Sequence, residues 1–348
     1  MNTRHAPMML LALLAAAAGY AQAPAVATAG KYERITVHGA SLEGNLEGDS
    51  ADRFVSVYLP PSYAKSPRRR YPVLYLLHGF TDSDSRWFGL DGRHFVNVQK
   101  AVDLAYASGV PELIVVMPNA FTRYQGSMYS SSAVIGNWEA FVTQDLVTYI
   151  DKHYRTLPTR VSRGLAGHSM GGYGTMRLGM KYPAVFSSLY SMSPCCMGAN
   201  LEPNAEGVAR AAKVSTPEEV AAADFGTKAI LASAAAWSPN AGKPPLYLDL
   251  PVVDGKAVPE TIATWAANAT LAMVHQYVPN LKTFVAIALD SGDQDVGIAG
   301  TVKTLDQILT GYGIAHTAEI YSGDHVSGVE QQLETKVLPF FGQHLKSK

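Results

Sequence analysis

Cysteine is nearly absent from this chain of 348 residues: there are two, Cys195 and Cys196, and they are adjacent. An adjacent pair cannot staple distant segments, so a disulfide framework is excluded and the fold must rest on a buried core. Charge is scarce as well. Only 16% of residues are charged and the net charge is −1, which gives no sign of the basic stripe that nucleic acid requires. The run Arg68-Arg69-Arg70 reads as a solvated turn ahead of a strand. Long apolar runs are missing too, since Met8 to Gly19 falls short of the roughly 20 residues a membrane-spanning helix needs. No internal repeat or low-complexity linker divides the chain.

What is present begins with an address. Arg4 and His5 precede the short apolar run, and Ala21-Gln22-Ala23 has the Ala-x-Ala form that signal peptidase cuts. Residues 1–23 are therefore expected to be a signal peptide. The mature protein, residues 24–348, is expected to be exported, periplasmic or secreted, with no stable membrane insertion. The two thiols read as free and buried, with a strained vicinal pair as the alternative.

From Lys31 onward, strands and helices alternate. Phe54 to Leu59 follows strand period and stops at Pro60-Pro61. Tyr71 to Leu77 is almost unbroken in its apolarity, as a central strand covered on both faces would be. Leu113 to Met117 is another such run, closed by Pro118. Trp138, Phe141, Val142, Leu146, Tyr149 and Ile150 recur at helical spacing. Thr283 to Leu289 and Thr317 to Tyr321 are two further strands. The first is followed by a helix ending at Gly311, the second by a closing helix from Val329 to His344. This alternation predicts an α/β fold, with a mostly parallel sheet and helices on both faces.

Residues 197–281 differ in character, being rich in alanine and proline. Thr216-Pro217-Glu218-Glu219 is a helix start, with a capping Thr, Pro at the first position and Glu completing the box. The stretch reads as a helical insertion over the sheet, overhanging the strand ends, rather than a separate domain. Its Trp237, Tyr247, Trp265 and Tyr277 are each read as packing residues, with a pocket-lining role as the alternative.

The chemistry centres on Gly167-His168-Ser169-Met170-Gly171-Gly172. This is Gly-x-Ser-x-Gly, the nucleophile elbow, here set between a short buried strand and a helix that stops before Pro183. A serine hydroxyl needs a base to take its proton, and a histidine serves best when a carboxylate fixes its tautomer. In this arrangement the three occur in chain order Ser, acid, His, each after a strand. Ser169 and His325 satisfy order and placement. His168 is expected to point away from the Ser169 Oγ, and His78 to hold its own loop.

Three aspartates compete for the acid. Asp290 closes a strand and can cap the turn, whereas Asp293 can cap the following helix. Asp295 stands farthest along the loop, within reach of His325, and is favoured, with Asp290 next. A calcium loop counted from Asp293 would need Gly and Glu where Ile298 and Thr304 stand, so no metal is expected. The backbone N–H groups of Met170 and Phe80 are the expected oxyanion donors, Phe80 lying in the loop His78-Gly79-Phe80.

Four segments carry a resemblance that covers most of the chain from about Lys31. They are Val57-Tyr58-Leu59-Pro60-Pro61, Tyr71 to Gly79, Gly167 to Gly172, and Gly323-Asp324-His325. Together they resemble the Putative esterase family, which includes esterase D, feruloyl esterases, siderophore esterases and the antigen 85 mycolyltransferases. The resemblance implies an α/β-hydrolase fold and ester cleavage through an acyl-serine, without metal or organic cofactor. It supports Phe80 and Met170 as oxyanion donors, and an acid after Gly-x-x-Asp, here Gly292-Asp293-Gln294-Asp295. The expected substrate is a small-molecule or glycan-linked ester, whether carbohydrate-linked, aromatic or of a siderophore. An acyltransferase of the same fold is the alternative. A non-catalytic binding protein would need a triad member missing, and none is.

Overall fold

Strand Val73–Leu77 has no polar face, for every one of its residues is buried. Val73, Tyr75 and Leu77 enter one core while Leu74 and Leu76 enter another, so helices must cover both sides. The computed structural model, which describes residues 29–199 and 204–348, sets this strand inside an eight-stranded sheet. In chain order its strands are β1 Lys31–His38, β2 Asp52–Leu59, β3 Val73–Leu77, β4 Ile114–Pro118, β5 Arg163–His168, β6 Ser188–Met192, β7 Ala286–Gly292 and β8 Thr317–Tyr321. The spatial order is β1-β2-β4-β3-β5-β6-β7-β8. Only β2 runs against its neighbours in this sheet. The expected signal peptide, residues 1–23, lies outside the described residues.

Helix α1 (Val98–Ala107) and the closing helical stretch 329–344 cover one face. The helical stretch 138–153, α2 (Met170–Lys181) and α4 (Val296–Gly311) cover the other. The insertion packs on this second face. Ala232, Ala234 and Ala235 of its helix α3 (Phe225–Trp237), with Met273 and Val274, share one core with β3 and β5. Alanine at three such positions lets α3 approach closely without overpacking. The capping box forms: the Thr216 side chain accepts from the Glu219 N–H and the Glu219 carboxylate reaches back.

A buried polar network fastens the insertion to α2. Arg177 pairs with Glu139 at 2.8 Å and donates to the Asn268 side-chain oxygen at 2.8 Å, while Tyr173 Oη donates to the Asn268 carbonyl at 2.9 Å. A buried guanidinium is tolerated only with such partners.

Two elements differ from expectation. The insertion is not purely helical: Val252–Val253 pairs with Lys256–Ala257 around Asp254-Gly255, both at positive φ, and Asp-Gly is a hairpin signal. Strand β7 begins at Ala286 and continues through Gly292, paired opposite Tyr321. Asp290 is thus inside the strand rather than at its end.

Candidate active site

Ser169 sits between β5 and α2 with φ 57° and ψ −115°, a conformation that costs free energy and survives only where its surroundings enforce it. Those surroundings are specific. The Ser169 N–H donates to the Met192 carbonyl at 3.0 Å, and its own carbonyl accepts from Tyr173 at 2.9 Å and Cys195 at 3.1 Å. The turn is also crowded. A Cβ at Gly171 would stand 2.1 Å from the Leu77 carbonyl oxygen, and one at Gly167 would stand 2.3 Å from that of Gly171.

The loops after β7 and β8 are knitted together. Asp293 N–H donates to the Tyr321 carbonyl at 2.8 Å and Gln294 N–H to that of Gly323 at 2.9 Å. The Asp293 carboxylate accepts from the Gly323 N–H at 3.1 Å. Asp293 therefore pins the neighbouring loop instead of capping the following helix. Asp324 closes its own loop, accepting from the Val326 and Ser327 N–H groups at 2.9 and 2.7 Å.

These supports bring three distant side chains into line. His325 Nδ1 lies 2.5 Å from Asp295 Oδ2, and His325 Nε2 lies 2.9 Å from Ser169 Oγ. A carboxylate accepts only, so the Nδ1 carries the proton and the Nε2 lone pair faces the hydroxyl. Asp290 does not join them. Its side chain is fully buried beside the Ser193 N–H at 3.3 Å, and burial pushes its carboxyl up to about 7.

The His78-Gly79-Phe80 turn lies against the serine: a Cβ at Gly79 would be 3.5 Å from Ser169 Cβ. Thr81 anchors the turn, its N–H donating to Gln125 at 2.9 Å. Neither the Phe80 nor the Met170 N–H has a protein acceptor among the described residues. His78 is buried, donating from Nδ1 to the Gly79 carbonyl and accepting at Nε2 from Ala120, each at 2.8 Å. It holds the loop.

A cavity of about 210 Å³ opens on Ser169 and His325, lined by Gly79, Phe80, Arg86, Phe95, Phe225 and Val326 among others. A larger hollow of about 520 Å³ beside Val110 and Gly342 shares no residue with this site. The insertion's wall residue is Phe225, 64% exposed and edge-on to Phe80 with ring centroids 5.6 Å apart. Sequence reading overlooked it, although Asp224 before it is a helix N-cap. Trp237, Tyr247, Trp265 and Tyr277 pack against the core instead.

His168 was also underestimated, for its Nε2 bonds the His325 carbonyl at 2.8 Å. Cys195 and Cys196 are free thiols, with Sγ atoms 2.7 Å apart. Among the described residues no three His, Cys, Asp or Glu side chains are grouped to hold a metal, and no helix is long and apolar enough to cross a membrane.

A strained serine at a strand-helix elbow, on a mostly parallel sheet, with aspartate and histidine following in that order, defines a serine hydrolase of the α/β-hydrolase fold. A family model for the Putative esterase family matches residues 50–328, and the chain belongs to that family. An esterase of Mycobacterium tuberculosis is 36% identical over 140 residues, covering 40% of this chain and 28% of that protein. An endo-1,4-beta-xylanase/feruloyl esterase of Xylanibacter ruminicola is 32% identical over 163 residues, covering 44% of this chain and 22% of that one. The chain thus spans about a quarter of the length of these relatives. A solved ferulic acid esterase shares the fold with a TM-score of 0.62 at 21% identity, covering 91% of this chain and 99% of its own.

Proposed function

We propose that the protein is an exported hydrolase that cleaves carboxylic esters through an acyl-serine at Ser169. The observation that carries this reading is the continuous hydrogen-bond line Ser169–His325–Asp295, at 2.9 and 2.5 Å. His325 Nε2 takes the hydroxyl proton as Oγ attacks the ester carbonyl, and Asp295 stabilises the imidazolium so formed. The oxyanion is held by the Phe80 and Met170 N–H groups, which have no protein acceptor among the described residues. His325 then returns the proton to the departing alkoxide. In the second half, water gives one proton to His325 and its hydroxyl to the acyl carbon; Ser169 Oγ then departs, taking that proton back from His325, and the acid is released.

The aromatic walls of the cavity and the feruloyl esterases among its relatives support an aromatic or carbohydrate-linked ester over a long-chain lipid. The Ala21-Gln22-Ala23 site after a short apolar run supports export to the periplasm or beyond. The test is a panel of p-nitrophenyl esters of rising chain length, methyl ferulate and an acetylated glycan, run with and without an acceptor alcohol. Hydrolysis is expected, and Ser169→Ala should lower kcat by about five to six orders of magnitude. An active alanine variant rules the reading out. Preferential transfer to the added alcohol makes the protein an acyltransferase.

A further inference from the structure

We propose that His168 is a positioning residue: the Nε2–H it donates to the main-chain carbonyl of His325 fixes where the base's imidazole stands. The proposal rests on the acyl-serine reading above. His168 ends β5 immediately before Ser169 and is only 2% exposed. Its Nε2 lies 2.8 Å from the His325 carbonyl oxygen, and the two imidazole rings are 4.8 Å apart, centroid to centroid. The Trp87 ring at 6.0 Å and the Phe95 ring at 5.7 Å, centroid to centroid, pack against the His168 ring.

The remaining supports of the His325 loop come from elsewhere. Asp293 and Gln294 hold Gly323 from the β7 side, and Asp324 bonds only within the loop. Among the described residues, the other side-chain bond from the elbow to this loop is the reacting contact from Ser169 itself. That contact must break and re-form in every turnover. His168 therefore ties the base's backbone to the nucleophile's strand by a bond that chemistry does not consume.

The tautomer follows from the geometry. A carbonyl can only accept, so the proton is on Nε2 and Nδ1 is bare; that atom is buried and without a partner. Protonating it would place a buried cation against the base. The titratable groups facing it are His325, Asp82 and His94, and Asp82 is already engaged by Trp87 Nε1 at 2.6 Å and His94 Nε2 at 3.2 Å. Burial, aided by His325, pushes the His168 imidazole down to about 3. It stays neutral wherever the enzyme can work, so it orients His325 without repelling the imidazolium formed in catalysis.

The experiment compares His168→Phe, which keeps a ring but no donor, with His168→Gln, whose amide nitrogen can reach the place of Nε2. His168→Met, apolar and unbranched, replaces the Phe variant should that fail to fold. Each is measured for kcat and KM on p-nitrophenyl butyrate, alone and in a His325→Ala background. Displacing the base by about 1 Å costs on the order of 100-fold in rate. The apolar variant should lose that much kcat at nearly constant KM, Gln should recover most of it, and neither should lose more once His325 is gone. Wild-type kcat in the apolar variant, equal impairment of Gln, or an undiminished loss without His325 overturns the proposal. Fully active Ser169→Ala and His325→Ala controls would instead remove the acyl-serine reading beneath it.

Discussion

The strand-end loops and the insertion meet over the same cavity but are built by opposite means. Ser169, Asp295 and His325 are each placed by backbone bonds between adjacent parallel strands, with glycines where chains nearly touch. Insertion residue Phe225 is placed by one helix cap, Asp224, and is 64% exposed. Backbone placement fixes atoms to the tolerance proton transfer needs. An exposed aromatic at a helix start can shift and be exchanged at little cost to the fold. In the function proposed above the loops carry the reaction, and the insertion lends the cavity a wall residue, Phe225.

The sharpest way to break this division is at the acid. Asp295→Asn should keep the geometry yet present the wrong histidine tautomer, lowering kcat by about four orders of magnitude. Asp293→Asn weakens a loop-to-loop bond and should cost far less, and Asp290→Asn should leave kcat near wild type. Steady-state rates of the three variants side by side decide the matter, and an active Asp295→Asn enzyme ends the assignment.

At the insertion the expected effect is smaller and of another kind. Phe225→Ala removes an edge-to-face partner of Phe80, a contact of about 0.5–1.5 kcal/mol. KM for methyl ferulate should rise about fivefold to tenfold, while kcat on p-nitrophenyl acetate stays within about twofold. A large fall in kcat on both would place Phe225 with the reacting groups instead.

The smallest effect on the rate is at Asp290, which lies beneath the site without serving it and acts on stability instead. Burial raises its folded-state value from 3.8 to about 7, so the folded protein binds this proton more tightly than the unfolded chain. The resulting stabilisation is full below about 3.8 and is lost as pH rises through 7, with a ceiling of about 4 kcal/mol. Asp290→Asn should therefore melt above the wild type at pH 8, with the gap clearly narrower at pH 5 and closed only near 3.8. Melting curves at the two values check the sign.

Much of this frame was legible in the sequence, for physical reasons. Buried parallel strands are unbroken apolar runs, so Tyr71 to Leu77 announced the sheet's middle. Gly167 and Gly171 marked a turn that admits no Cβ. Ser169, Asp295 and His325 stand together because the elbow, the strand order and the loop positions all constrain the same point. Legibility ended where side chains act through another residue's backbone. Nothing in the spelling of His168 says that its nitrogen meets the His325 carbonyl, since 157 positions separate them. Asp293 likewise read as a helix cap because local pairing is the only partner a sequence displays. Phe225, the insertion's site residue among the described residues, escaped because larger aromatics such as Trp237 and Trp265 drew the reading toward positions that pack in the core.

The central claim, that Ser169 is activated by His325 and Asp295, is tested most directly by covalent capture. The protein is treated with a fluorophosphonate, and the adduct is located by peptide mass spectrometry in wild type, His325→Ala and Asp295→Asn. A single adduct on Ser169 is expected, forming rapidly in wild type and slowing by orders of magnitude in both variants. Labelling at another residue, or at Ser169 with undiminished rate in the absence of His325, would contradict the account.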